Sequence, residues 1–298
     1  MRMKLKFSLL VALSLIFTED FTACGNEKVI EEFREVEEDA KVVADILEFA
    51  PTSELTVEMT GIKDKFRTEI TIPSTIQVYG KEYKVTFNGD AFTESNVRNV
   101  KLTEGFTEIP DSMFYSCSSL PSIEIPSSVT SIGDAAFAGC ESLTSIEIPS
   151  SVTSIGERAF AGCSGLTSIE VSTNNPNYTS INGVLFDKDI KTLISCPVGF
   201  SGKFSIPSSV TSIGEWAFAG CRELTSIEIP SSVTSIGDAA FFGCWGLTSI
   251  EIPSSVTSIG EWAFDNCYDT DIVIDNSEEN VTVENGAFGY CKSVTWKR

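Results

Sequence analysis

Apolar and polar positions alternate along this chain in a block that returns almost unchanged. In Leu143–Ile148 (LTSIEI) the apolar residues stand at 143, 146 and 148. That spacing predicts a short strand with Leu143, Ile146 and Ile148 facing a core and Glu147 facing solvent. Pro149 lacks a ladder donor and ends the strand. Val152 and Ile155 then return inward, and GERAFAGC (156–163) is expected to turn the chain through a short helical or irregular piece. A longer rhythm is laid over this one. Phe114, Phe137 and Phe160 are 23 residues apart, as are Phe218, Phe241 and Phe264, and Cys117, Cys140, Cys163, Cys221, Cys244 and Cys267 keep the same step. Phe92 precedes Phe114 by 22, and Phe288 follows Phe264 by 24. Between Phe160 and Phe218 the step is 58, an interruption of 35 residues beyond the period.

One such unit cannot bury its apolar side alone, but stacked copies bury it for one another. The strand pattern Leu-x-x-Ile-x-Ile and the period both lie within the range of leucine-rich repeats. The fold class expected is a repeat solenoid: a leucine-rich-repeat, right-handed, β-rich array of 23-residue units over 55–298, with an inserted hairpin island at 171–205. Before the regular copies, ELTVEM, TEITIP and VYGKEYKV read as strands, the last as two around Gly80-Lys81.

The first residues change pattern. MRMKLK is basic and Phe7–Phe17 is an apolar run too short to span a bilayer comfortably, which predicts a signal peptide over 1–23. Thr22-Ala23 ahead of Cys24 resembles a lipoprotein signal, so Cys24 is the expected lipidation site. Residues 24–54 are strongly acidic. Val29, Phe33, Val36, Ala40, Val43 and Leu47 alternate spacings of four and three, which predicts a tether or capping helix with one apolar face.

Composition narrows the chemistry. A net charge of −21, from 42 acidic and 21 basic residues, argues against a nucleic-acid partner. There is no histidine, which removes the commonest general base and metal ligand. No nucleophile elbow or phosphate loop occurs, so no catalytic residue, metal ligand or cofactor site is assigned and the chain is not expected to be an enzyme. Seven of the nine cysteines, the six above and Cys291, occupy one repeat position after Phe. They are expected to stack as buried free thiols rather than form disulfides or a zinc site. Cys140→Ser is expected to bury a hydroxyl where partners are scarce.

Two surfaces are candidates for ligand binding. Outward Glu124, Glu147, Glu170, Glu228 and Glu251 share one strand position, and in register neighbours would lie about 5 Å apart. A second acidic column, Asp134, Glu157, Glu215, Asp238 and Glu261, follows a Gly and is expected to open a helical turn. Departures from the copied unit mark the other surface. The residue two before Phe is Ala135, Arg158, Trp216, Ala239 and Trp262 in successive copies, while Phe242 and Trp245 replace smaller or polar residues. Trp216, Phe242, Trp245 and Trp262 are therefore expected to form an aromatic patch.

Units of the form Ile-Pro-x-Ser-Val-Thr-x-Ile-Gly-x-x-Ala-Phe-x-x-Cys-x-x-Leu-x-x-Ile-x-Ile resemble those of the BspA-like leucine-rich repeat proteins, from Ile70 to the C-terminus. Asn174–Pro197 is similar to that family's island, in which Gly-Val-Leu-Phe and Thr-Leu-x-x-x-Pro form a hairpin. The resemblance implies an exported protein of the cell surface or outer membrane that binds host or bacterial macromolecules, as adhesins do, and it carries over no catalytic residue. The expected partner is a protein or glycan, with membrane contact only through the lipid anchor at Cys24. The alternative is a structural spacer in a surface complex. Replacing the anchor residue checks the localisation: Cys24→Ala should move the protein from the membrane fraction to the soluble fraction, since the acyl chains supply the membrane affinity.

Overall fold

The structure is a computed structural model that describes residues 47–53, 56–62, 68–78 and 81–297. The signal segment, Cys24 and the acidic stretch up to residue 46 lie outside the described residues. The helical spacing read through Leu47 does not continue, because Leu47–Ser53 is a strand, paired antiparallel with Thr56–Ile62. Pro51 disfavours helix at the residue before it, and the pairing shifts register beside it. Thr56–Ile62 runs parallel to Lys81–Phe87, which pairs antiparallel with Thr75–Val78, giving a four-stranded sheet at the start of the array.

From there the chain winds into about eight stacked turns of a β-solenoid. Each turn gives one strand to a long face, as when Ser145–Ile148 pairs in parallel with Ser168–Val171, Ile146 beside Ile169 and Glu147 beside Glu170. A second, two-residue strand follows the proline, and Ser131–Ile132 pairs in parallel with Ser154–Ile155. Leu143, Ile146, Ile148 and Val152 are buried while Glu147 is exposed, as the alternation requires. The piece around Phe is not helical. It is a row of tight turns whose N–H groups alternate in their partners. The amides of Ala135, Phe137 and Gly139 donate to the next turn's Glu157, Ala159 and Ala161 carbonyls at 2.8–2.9 Å, while Ala136, Ala138 and Cys140 donate to carbonyls three residues back in their own turn. A helix would close all these bonds within the turn and leave nothing to join one copy to the next.

Inside, the Phe rings form two piles. Phe92, Phe114, Phe137 and Phe160 lie with successive centroids 5.2, 5.3 and 5.9 Å apart, and Phe218, Phe241, Phe264 and Phe288 follow at 4.9, 5.0 and 5.8 Å. Each buried ring contributes about 1.5–3 kcal/mol of burial, with about 0.5–1.5 kcal/mol more from ring contacts. The piles stop at the island, and the core divides there too.

The island is itself a turn of the solenoid. Tyr178–Ile181 and Val184–Asp187 form a hairpin across Asn182-Gly183, both with positive φ (53° and 77°), as a two-residue hairpin turn demands. Val184–Asp187 then pairs with Thr192–Ser195, whose Leu193 sits beside Ile213 of the next short strand. Gly202–Ser205 joins the long face beside Leu224–Glu228. Cys196 takes the position of the Phe, its amide donating to the Ala217 carbonyl at 2.6 Å. Asn175, 1% exposed, fixes the hairpin to the preceding turn: its amide donates to the Pro149 and Val152 carbonyls (2.7 and 3.0 Å), and its oxygen accepts from the Asn177 and Tyr178 amides (both 2.8 Å).

All eight described cysteines are free thiols, and only Cys291, in the last turn, is not fully buried. The column is more than apolar filling. Cys140, Cys163, Cys244 and Cys267 each place sulfur 3.0–3.2 Å from the carbonyl of the Phe 26 residues earlier, in the preceding turn. The expected scarcity of partners for a hydroxyl at 140 is thus corrected: the Phe114 carbonyl stands ready to accept. Burial pushes the Cys244 thiol well above its ordinary value and Cys267 up to about 12.

These thiols generate a prediction with three readouts. A maleimide at pH 8 should label Cys117 to Cys267 slowly in native protein and fully in denaturant without reductant, since the thiolate is the reactive form. Cys140→Ser should cost under ~1 kcal/mol, and Cys140→Ala about 1 kcal/mol more through loss of the donor. Because burial holds the Cys244 and Cys267 thiols protonated in the folded protein, their contribution to stability is complete below the ordinary pKa of 9.0 and falls as pH rises from there, for Cys267 toward about 12, by at most ~1.4 kcal/mol per pH unit per thiol. Urea midpoints at pH 8, 9 and 10 measure it.

Candidate binding surfaces

The turn around Phe demands two left-handed residues, two before the ring and two after it. The second is usually Gly (Gly139, Gly162, Gly220, Gly243), which takes that conformation freely. The first is Ala135 (φ 50°), Arg158 (54°), Trp216 (57°), Ala239 (49°) or Trp262 (54°). A side chain in this region costs roughly 1–2 kcal/mol. The backbone accepts that cost because the same residue's N–H is committed to the next turn, as when Trp216 donates to Asp238 at 2.9 Å. Arg158 and the two tryptophans thus sit on the turn face at a strained position.

The four sequence-predicted aromatics do not form one continuous patch. Trp216 is half-buried, its ring 5.9 Å from that of Phe242 and beneath the Arg158 guanidinium, 3.7 Å from the centroid. Trp245, 47% exposed, lies under Arg222, whose guanidinium carbon is 4.0 Å from the ring centroid. Trp262, also 47% exposed, lies across Gly286, where a Cβ would come within 2.6 Å of the indole. Ala239, between Trp216 and Trp262 in the same column, is buried. Tyr268 and Tyr290, 54% and 74% exposed with centroids 6.2 Å apart, extend the aromatic surface past Trp262. Sequence reasoning missed them, although Tyr268 follows Cys267 as Trp245 follows Cys244.

The outward glutamates are all exposed, but their column is broken. Glu147 and Glu170 are neighbours in register. Glu124 lies beside Lys101, and Glu251 lies beside Val273 and pairs with Lys297. Glu228 lies beside Ser205 and accepts its hydroxyl at 2.7 Å. Glu170 accepts from Ser168 and, at 3.4 Å, from Ser180. The island turn carries Ser205 where the copies carry Glu, so the run of like charge stops there.

The second acidic column opens no helical turn, and its role depends on side-chain length. Asp111, Asp134 and Asp238 each reach the backbone amide one turn on, at Asp134, Glu157 and Glu261, all at 2.8 Å. The Gly before the donor residue makes room, since a Cβ on Gly156 would meet the Asp134 carboxylate at 2.4 Å. Among the described residues no three His, Cys, Asp or Glu side chains converge as metal ligands.

Six copies of the BspA-type leucine-rich repeat region match residues 85–197 and 200–296. The chain belongs to this family of repeat proteins. Its fold is similar to a leucine-rich repeat protein from Eubacterium ventriosum (25% identity, TM-score 0.52, covering 85% of this chain and 83% of that one). It is likewise similar to the pneumococcal vaccine antigen PcpA (18% identity, TM-score 0.54, covering 85% and 86%). No curated protein matches the chain significantly.

Strain at the turn position makes an exposed indole separable from the fold. Trp262→Gly should leave the free energy of unfolding within about 1 kcal/mol, because lost contact with Gly286 is offset by relief of the left-handed cost. Truncating a core aromatic instead costs ~3–5 kcal/mol. Urea titration followed by circular dichroism reads the difference.

Proposed function

We propose that this protein is an exported, lipid-anchored surface protein that works by binding, without catalysis, and that its ligand is a protein or glycan held on the turn face of the later repeats. One observation carries the reading: Trp245 and Trp262, each 47% exposed, stand where most other copies have small or polar residues. Trp262 also sits at a strained position that Gly would fill at less cost. Large aromatic anchors with exposed faces are what protein and carbohydrate ligands use. The glutamate face supports binding less well, since Lys297, Ser205 and Ser168 already answer three of its five carboxylates, those of Glu251, Glu228 and Glu170.

Ligand capture on arrays of matrix proteins and glycans, followed by salt titration, tests this proposal. Binding should hold or strengthen between low and high salt, because apolar burial is not screened. Trp245→Ala with Trp262→Ala should weaken it by about 2 kcal/mol or more, roughly thirty-fold, with the fold intact. Normal binding by that variant, together with loss in Glu147→Lys with Glu228→Lys, would move the site to the strand face. Capture of no ligand by the wild-type protein would favour the spacer role.

A further inference from the structure

The turn at Phe160 is unlike the others. At Phe114, Phe137, Phe218, Phe241 and Phe264 three N–H groups, at the ring residue and two to either side, donate to carbonyls of the following turn. Those of Arg158, Phe160 and Gly162 have no acceptor among the described residues. The cause is a shortened turn in the island. From Leu193 to Phe204 the chain spends 11 residues where Ile155 to Ile169, between the matching strand positions, spends 14. The shortened turn is bonded to the Trp216 side through the Cys196 amide to Ala217 and to the other side through the Gly199 amide to Leu166, but it offers no carbonyl to the amides around Phe160.

A cleft of about 220 Å³ results, with Ile155, Phe160, Cys196, Val198 and Ala219 among its walls. Ile155 is only half-buried, whereas its counterparts Ile132, Ile213, Ile236 and Ile259 are buried. Arg158, stacked on Trp216, links the two sides. A cavity of ~150 Å³ lined by apolar side chains holds benzene, so this one has room for a stretch of backbone with one or two small side chains.

We propose that this cleft is a binding site for a short peptide segment with small apolar side chains. Elsewhere in the array the donors matching Arg158 and Phe160 are filled by carbonyls of alternate residues in the next tight turn, so a short peptide that takes the same turn presents carbonyls at their spacing. The lining is mostly apolar but includes Glu157, Glu215, Thr192 and Ser195, so small neutral side chains fit best. Trp216 and Arg158, which depart from the copied unit, frame the entrance. The site is separate from the exposed Trp245 and Trp262, so its failure would leave the proposed surface binding untouched.

Titration of the ¹⁵N-labelled full-length protein with the neutral peptide acetyl-Ala-Ala-Ala-Ala-amide tests it, with sodium acetate in parallel. The peptide should shift the amide resonances of Arg158 and Phe160 and saturate. Those of Trp216, Phe218 and Gly220, which already have partners, should stay in place. Ala219→Leu, which fills the cleft, should weaken the peptide at least ten-fold, and Val198→Phe should do the same if the first variant misfolds. The proposal is overturned if the peptide leaves those two resonances unmoved. It is overturned too if shifts persist in the filled variants, or if acetate reproduces them, since the site would then be one for simple anions.

Discussion

The whole array depends on one hydrogen-bonding constraint at the turn around Phe. Every second N–H there closes the turn locally, and the N–H groups between must find carbonyls one turn further on. Buried backbone donors left unpaired cost about 1–3 kcal/mol each, so the turns must stack in register and at close distance. Phe rings about 5 Å apart and thiols bonded to the carbonyl of the preceding turn follow from that spacing. The left-handed residues on either side of Phe follow from it too, because only that backbone aims alternate amides along the axis.

The constraint explains which departures from the copied unit are tolerated. Asp can replace Glu before the left-handed residue, and gains a bond to the next turn, because its carboxylate is short enough to reach. Ala, Arg and Trp all occupy the strained position itself, since the backbone is held by bonds that do not involve the side chain. Side chains there are free to vary with little effect on stacking, which makes the turn face the natural place for recognition. The long strand face is different. Its glutamates are copied faithfully, but three of them are answered locally by Ser168, Ser205 and Lys297.

The island shows what happens when the constraint is relaxed in one turn. It contributes strands to both faces and keeps the array continuous, and Asn175 fastens its hairpin to the loop before it with four bonds. Its short turn cannot meet both neighbours along its whole length. It bonds to Ala217 on one side and to Leu166 on the other but leaves the amides around Phe160 open, so the ring pile, the core and the ladder all break at the same place.

The sequence by itself determined the solenoid, because identical spacing of Leu143, Ile146, Ile148, Phe137 and Cys140 in each copy leaves one way to bury them all. It determined that the thiols are inside, since one position per turn faces the core, and the hairpin Asn182-Gly183 was legible from its dipeptide though not read. Only the tertiary structure decided what each copied residue bonds to. The turn around Phe is non-helical because its donors reach the neighbouring copy, a partner that no local pattern reveals. The aromatic residues separate into Trp216 with Phe242, Trp245 with Arg222, and Trp262 on Gly286, because their contacts cross turns and depend on side-chain direction. The cleft beside Phe160 needed the structure most, for it arises from the distance between two turns 58 residues apart, and spacing along a chain carries no record of a gap in space.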